Sequence, residues 1–197
     1  MLADPRVSAG VAVIGCPDYM SLLSDRARLS KLSTYTADDG ASFLGSRDFP
    51  PALIEACKKY DPKALLFGTD HVPPPPPASP TASEQDGRQR LEATLRARVR
   101  GKKFLLCSGA EDKVVPYQCG RPFVDWFKGA ADAWFGARGE DAIVVRDVLY
   151  PGTGHTFSAA MIQDAVRFVV DVVAGGDGRV ALAETAGGGE ERRVSKI

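Results

Sequence analysis

Three short apolar runs, each followed by a stretch long enough for a helix, constrain this chain more than any other feature. They are Gly10 to Cys16 (GVAVIGC), Phe104 to Cys107 within KKFLLCSG, and Ala142 to Leu149 (AIVVRDVL). Runs so short and so rich in Val, Ile and Leu fit strands buried on both faces and fall below the length of a typical helix. After the first run comes YMSLLSDRARLSKL, with Asp18 placed to cap it. Tyr19, Leu22, Leu23, Ala27 and Leu29 lie near helical spacing, and Arg26, Arg28 and Lys31 sit late, where the helix dipole favours cations. A helix is predicted over 121–137 with Phe123, Trp126, Phe127, Trp134 and Phe135, and another over 156–174 with Met161, Ile162, Ala165, Val166, Val169 and Val173. These stripes read as core packing against a sheet. Strands alternating with helices imply parallel strands joined by crossovers, an α/β fold with about three core strands.

Punctuation between the runs fills in the organisation. Residues 33–49 look irregular. Pro50 and Pro51 open a helix through Tyr60 that stops at Asp61-Pro62, because the residue before a proline is pushed away from helical angles. Lys63 to Phe67 reads as one more turn. A helix over 86–99 repeats Leu91, Leu95 and Val99 every four residues, and its basic positions read as a solvated face. Residues 73–80 hold six of the 14 prolines and predict a polyproline surface loop. Residues 175–197 hold six of the 20 glycines and predict a flexible tail, leaving 1–174 as the one folded domain.

Composition narrows the partners. Lys plus Arg and Asp plus Glu are both 25, so the global charge calls for neither nucleic acid nor an anionic membrane. No apolar run approaches the roughly 20 residues of a membrane helix, and the N-terminus MLADPR lacks a basic or apolar leader, which points to the cytoplasm. Cys16, Cys57, Cys107 and Cys119 form no Cys-x-x-Cys pair and read as free thiols, not as a zinc site or disulfide framework. PGTGHTFS lacks the lysine of a phosphate-binding loop, and no Gly-x-Gly-x-x-Gly follows the first strand. No metal or organic cofactor is implied.

Ligands of open parallel sheets bind outside the carboxyl ends of the strands. Past the second strand lies SGAEDKVVPY, with Asp112; past the third lies YPGTGHTFS, where Gly152 and Gly154 shape a turn that presents His155 at the start of a helix. The other histidine, His71, adjoins the proline run and is predicted to face solvent. A strand, G-x-x-D-x-x-V-P, a helix, a strand and then G-H resembles the end of the α/β-hydrolase family, most of all its prolyl-oligopeptidase-like and esterase-like branch. The resemblance implies that Asp112 orients and stabilises the His155 imidazole, and that His155 takes the proton of a nucleophile and returns it to the leaving group. It also implies that residues 18–87 form a cap shaping substrate choice. Glu111 competes with Asp112 for the acid role, but the spacing to Val115-Pro116 matches the family at Asp112.

The chain departs from the family at the nucleophile. No Gly-x-Ser-x-Gly occurs in the 197 residues. In GASFLG, Ser42 has Leu44 where the second glycine belongs; Cys16, after the first strand, is flanked by Ile14 and Asp18, both too large for the elbow. The resemblance makes Gly10–Cys16 the sixth strand of the family, so the elbow and oxyanion loop would precede residue 1. The chain is then expected to be the C-terminal part of a serine hydrolase acting on an ester, thioester or amide, inactive as it stands. The rival expectation is a non-catalytic α/β interaction module, because the first strand would offer a partner its open, apolar edge.

Overall fold

A three-stranded parallel sheet of order β1-β2-β3 forms the centre of the computed structural model, which describes residues 4, 6–36, 38, 41–76, 85–136 and 138–181. The strands are β1 (Ala9–Val13), β2 (Lys103–Gly109) and β3 (Val144–Tyr150). Val13 pairs with Cys107 and Cys107 with Val148, so all three run in one direction. The parallel α/β class expected from the alternating pattern is the class observed. β1 ends three residues before the apolar run does, because Ile14 takes φ 54, a left-handed conformation that a β-branched residue rarely adopts and that no strand accommodates.

The period of two along the strands sorts side chains to opposite faces. Phe104, Leu106 and Val145 face helix α5 (Tyr117–Phe135) and pack with its Phe123, Trp126 and Phe127. Leu105, Cys107 and Tyr150 face helix α6 (Ala159–Val173) and pack with its Met161 and Phe168. Helix α5 starts four residues earlier than expected. Pro116 serves as its N-cap, and Pro122, which the expected start would have put in the first turn, lies inside it.

The stripe expected to bury α6 is a correction. Ile162, Val166, Val169 and Val173 are 45, 56, 48 and 81% exposed, while Met161, Asp164 and Phe168 are buried. The helix is apolar on two sides, and the sheet covers one; the larger Met161 and Phe168 fill the space over Leu105 and Cys107.

Between β1 and β2 lie α1 (Tyr19–Leu29), α2 (Pro51–Tyr60), α3 (Pro62–Phe67) and α4 (Gln85–Val99). Asp18 caps α1 as expected, accepting from Ser21 N–H at 3.0 Å. Asp61 ends α2 and ties two other helices together: Oδ1 accepts from Ala64 N–H and Oδ2 from Tyr19 N–H, each at 2.9 Å. Met20, Phe43, Phe49, Cys57 and Ala64 form a small core of their own. Leu95 and Val99 of α4 are fully buried in the main core.

The proline run is described through Pro76, and its remainder to residue 80 lies outside the described residues. It is docked, not loose. A Cβ on Gly129 of α5 would come within 2.7 Å of Pro75 Cβ, so a glycine is what allows the two segments to meet. The tail expected over 175–197 is described to residue 181. This part is tied back by Gly178 N–H donating to Asp171 Oδ2 at 2.8 Å and by Arg146 donating to the carbonyls of Gly178 and Val180.

Candidate functional site

The loops that leave β2 and β3 cross at Gly109. A Cβ there would lie 2.4 Å from Thr153 O and 2.6 Å from Gly154 O, so only glycine permits the crossing. Hydrogen bonds then lock the loops together. Ala110 N–H donates to Tyr150 O at 3.0 Å, Glu111 N–H to Thr153 O at 3.0 Å, and Gly152 N–H to Glu111 Oε1 at 3.0 Å. Gly152 has φ 66, which completes the tight turn after β3. His155 therefore stands in the loop four residues ahead of α6 and not at a helix start; Ser158 caps the helix instead, accepting from Met161 N–H.

The crossing brings Asp112 and His155 together. His155 Nδ1 lies 3.0 Å from Asp112 Oδ2. The Asp112 side chain is 1% exposed and that of His155 is 46% exposed, so the acid is sequestered and the ring opens to the surroundings. The other carboxylate oxygen, Oδ1, accepts from Val114 N–H at 2.7 Å and Val115 N–H at 2.9 Å. Burial alone would raise the Asp112 carboxyl, but the bonds from Val115 N–H, the His155 ring and Val114 N–H prevail and hold it below its ordinary value. An ionised carboxylate only accepts, so the proton between the two groups belongs to Nδ1. In the neutral ring Nε2 then carries the free lone pair. Arg26 of α1 donates to Val114 O and steadies the Asp112 loop from the other side.

Glu111 is not the partner of the histidine, since its carboxylate is the acceptor for Gly152 N–H. Cys16 is a poor nucleophile. Its thiol donates to Asp18 O at 3.1 Å, and burial pushes its pKa up to about 12, far above the range in which a thiolate forms. The Ser42 hydroxyl is taken up in an exposed loop, within 2.7 Å of Thr36 Oγ1 and donating to Asp38 Oδ1 at 3.1 Å. His71 is exposed, as expected.

Two residues that the sequence reading passed over belong to this region. Tyr117 OH donates to Asp147 Oδ2 at 2.6 Å, and burial together with this carboxylate pushes the phenol above its ordinary range. Asp147 lies mid-strand with its side chain 6% exposed. An acid inside the apolar run VVRDVL was the signal that could have found it. Both residues line a cavity of about 330 Å³ that runs over the α5 face of β1 and β2 to the Asp112 loop.

Among the described residues no group of three or more His, Cys, Asp or Glu side chains could hold a metal ion, and no helix is long and apolar enough to cross a membrane. The fold and the site define a parallel α/β chain that holds a buried acid against a half-exposed histidine beyond the carboxyl ends of adjacent strands. No family model, no curated protein and no solved structure matches the chain.

Proposed function

We propose that this chain supplies the acid and the base of a serine-hydrolase-type acyl transfer, as part of an enzyme that cleaves an ester, thioester or amide. The observation that carries the reading is the 3.0 Å contact of His155 Nδ1 with a buried Asp112 carboxylate. Asp112 holds the ring in the tautomer that leaves Nε2 basic, and it stabilises the imidazolium formed when Nε2 takes a proton. His155 then returns that proton to the leaving group. The nucleophile comes from outside these residues, because no Gly-x-Ser-x-Gly is present, Cys16 is deactivated and Ser42 is engaged elsewhere. The 197-residue chain alone is expected to be inert toward esters.

The test is labelling of the native protein from its source with a fluorophosphonate, followed by mapping of the labelled peptide. The reading expects a labelled serine in a Gly-x-Ser-x-Gly segment, on the same polypeptide or on a bound one, and loss of labelling with His155→Ala. Labelling that survives His155→Ala, or no labelling at all, contradicts it.

A second reading, a non-catalytic module that binds a partner, is favoured by one observation. β1 has a strand neighbour on one side only among the described residues, and α6, which packs on the same sheet through Met161 and Phe168, leaves an apolar stripe exposed on its outer side. A stable, stoichiometric complex of the native chain that carries no labelled serine would favour it.

A further inference from the structure

The cavity beside Asp112 is walled by Ala12, Leu65, Phe104, Leu106, Phe123 and Phe127, which come from β1, α3, β2 and α5. Wetting apolar walls of this extent costs free energy, and a hydrocarbon that replaces the water lowers it. A small residue leaves room on the sheet side, since β1 presents only Ala12 to the cavity, and at the other end Gly120 lets the Pro17 ring close the wall, 2.6 Å from the position a Cβ would take.

Polar side chains are few: besides two carboxyls, the lining carries the hydroxyls of Tyr60, Ser108 and Tyr117 and the Cys16 thiol. Asp112 and Asp147 bring carboxyl groups into the lining, which holds no Lys or Arg among the described residues; Lys128, outside the lining, pairs with Asp147 Oδ2 at 3.8 Å, so Asp112 is the carboxylate without a cation. Two of the donors are already committed: Tyr117 OH to Asp147 Oδ2, and the Cys16 thiol to Asp18 O. Asp147 Oδ1 has no hydrogen-bond partner among the described residues. An anionic head group entering here would meet acceptors and like charge, which disfavours it strongly away from bulk water.

We infer that this cavity is an acyl-chain site, which takes an uncharged hydrocarbon chain and excludes a free carboxylate. Its link to chemistry rests on the proposed hydrolase reading, because Asp112 is both a wall of the cavity and the partner of His155. A site built this way accepts the neutral ester, amide or thioester and rejects the acid that hydrolysis releases, so product leaves readily.

The experiment is calorimetric titration of the 197-residue chain at pH 8 with 1-octanol and, separately, with sodium octanoate. 1-Octanol is expected to bind and octanoate to bind at least tenfold more weakly. Ala12→Phe and Leu65→Trp, which fill the cavity from the sheet and from α3, are each expected to weaken octanol at least tenfold, whereas Val166→Glu on the exposed side of α6 leaves it within twofold. Should Ala12→Phe fail to fold, Leu65→Trp and the octanol-to-octanoate ratio decide. Absence of octanol binding, equal binding of octanoate, or indifference to the filling variants overturns the inference. Because the readout is binding and not turnover, failure here leaves the acid–base reading untouched, and failure of that reading leaves octanol binding in place.

Discussion

Gly109 ends β2 and His155 stands on the loop after β3, yet the first sets where the second can be: the space where a Gly109 side chain would begin is filled by the carbonyls of Thr153 and Gly154, two residues and one residue before the histidine. The absence of a side chain on β2 thus brings the β3 loop down onto Asp112, and the Asp112–His155 contact follows from it.

Gly109→Ala is accordingly expected to push the loops apart. A Cβ at 2.4 Å from a backbone oxygen forces a main-chain shift costing about 1–3 kcal/mol. Urea denaturation measures the loss, and weakening of fluorophosphonate labelling in the native protein measures the displacement of His155. An unchanged urea midpoint contradicts the crossing.

Asp112→Ala leaves Val114 N–H and Val115 N–H without their acceptor, at a cost of about 1–3 kcal/mol at pH 7. The folded-state carboxyl lies below its ordinary value, so its contribution is fully present above about pH 4 and is lost as the pH falls through the folded value. Urea midpoints of wild type and variant should therefore differ at pH 7 and converge in strong acid. A gap that widens on acidification reverses the sign and contradicts the account.

The cysteines are expected to be silent in the folded protein. Burial raises all four thiols, Cys16 to about 12. Iodoacetamide at pH 8 should leave the native mass unchanged and add four groups in urea. Rapid native modification of Cys16 would restore it as a nucleophile candidate.

Tyr150→Phe tests the underside of the sheet. Tyr150 OH donates to Asp164 Oδ2 at 2.7 Å, where Asp164 is fully buried. Losing one donor to a buried carboxylate costs about 2 kcal/mol, visible as a lower urea midpoint. The exposed α6 stripe should behave oppositely: Val166→Glu is expected to stay within about 0.5 kcal/mol of wild type, unless a partner covers that face.

The fold class was legible because Val- and Ile-rich runs of strand length alternate with helix-length amphipathic segments. Asp112 and His155 were legible because each follows such a run, where loops of a parallel sheet converge. What escaped depends on three dimensions. The period of α6 shows two apolar sides, and nothing in the sequence says which one a three-stranded sheet covers; the larger Met161 and Phe168 decide it. The end of β1 hides in the φ of Ile14, which its side chain gives no reason to expect. The preference for Asp112 over Glu111 came from spacing alone; the turn that points Glu111 at Gly152 was not legible. Tyr117 and Asp147 meet only through the packing of α5 on β3.

The central claim is that Asp112 fixes His155 with Nδ1 protonated and Nε2 free, and ¹⁵N imidazole NMR of the 197-residue chain at pH 8.5 tests it most directly. With only two histidines, His71→Gln assigns the remaining ring. The account predicts a pyrrole-type Nδ1 and a pyridine-type Nε2 for His155, with this preference lost in Asp112→Ala. A His155 ring protonated mainly on Nε2, as in free histidine, and indifferent to Asp112→Ala would contradict it.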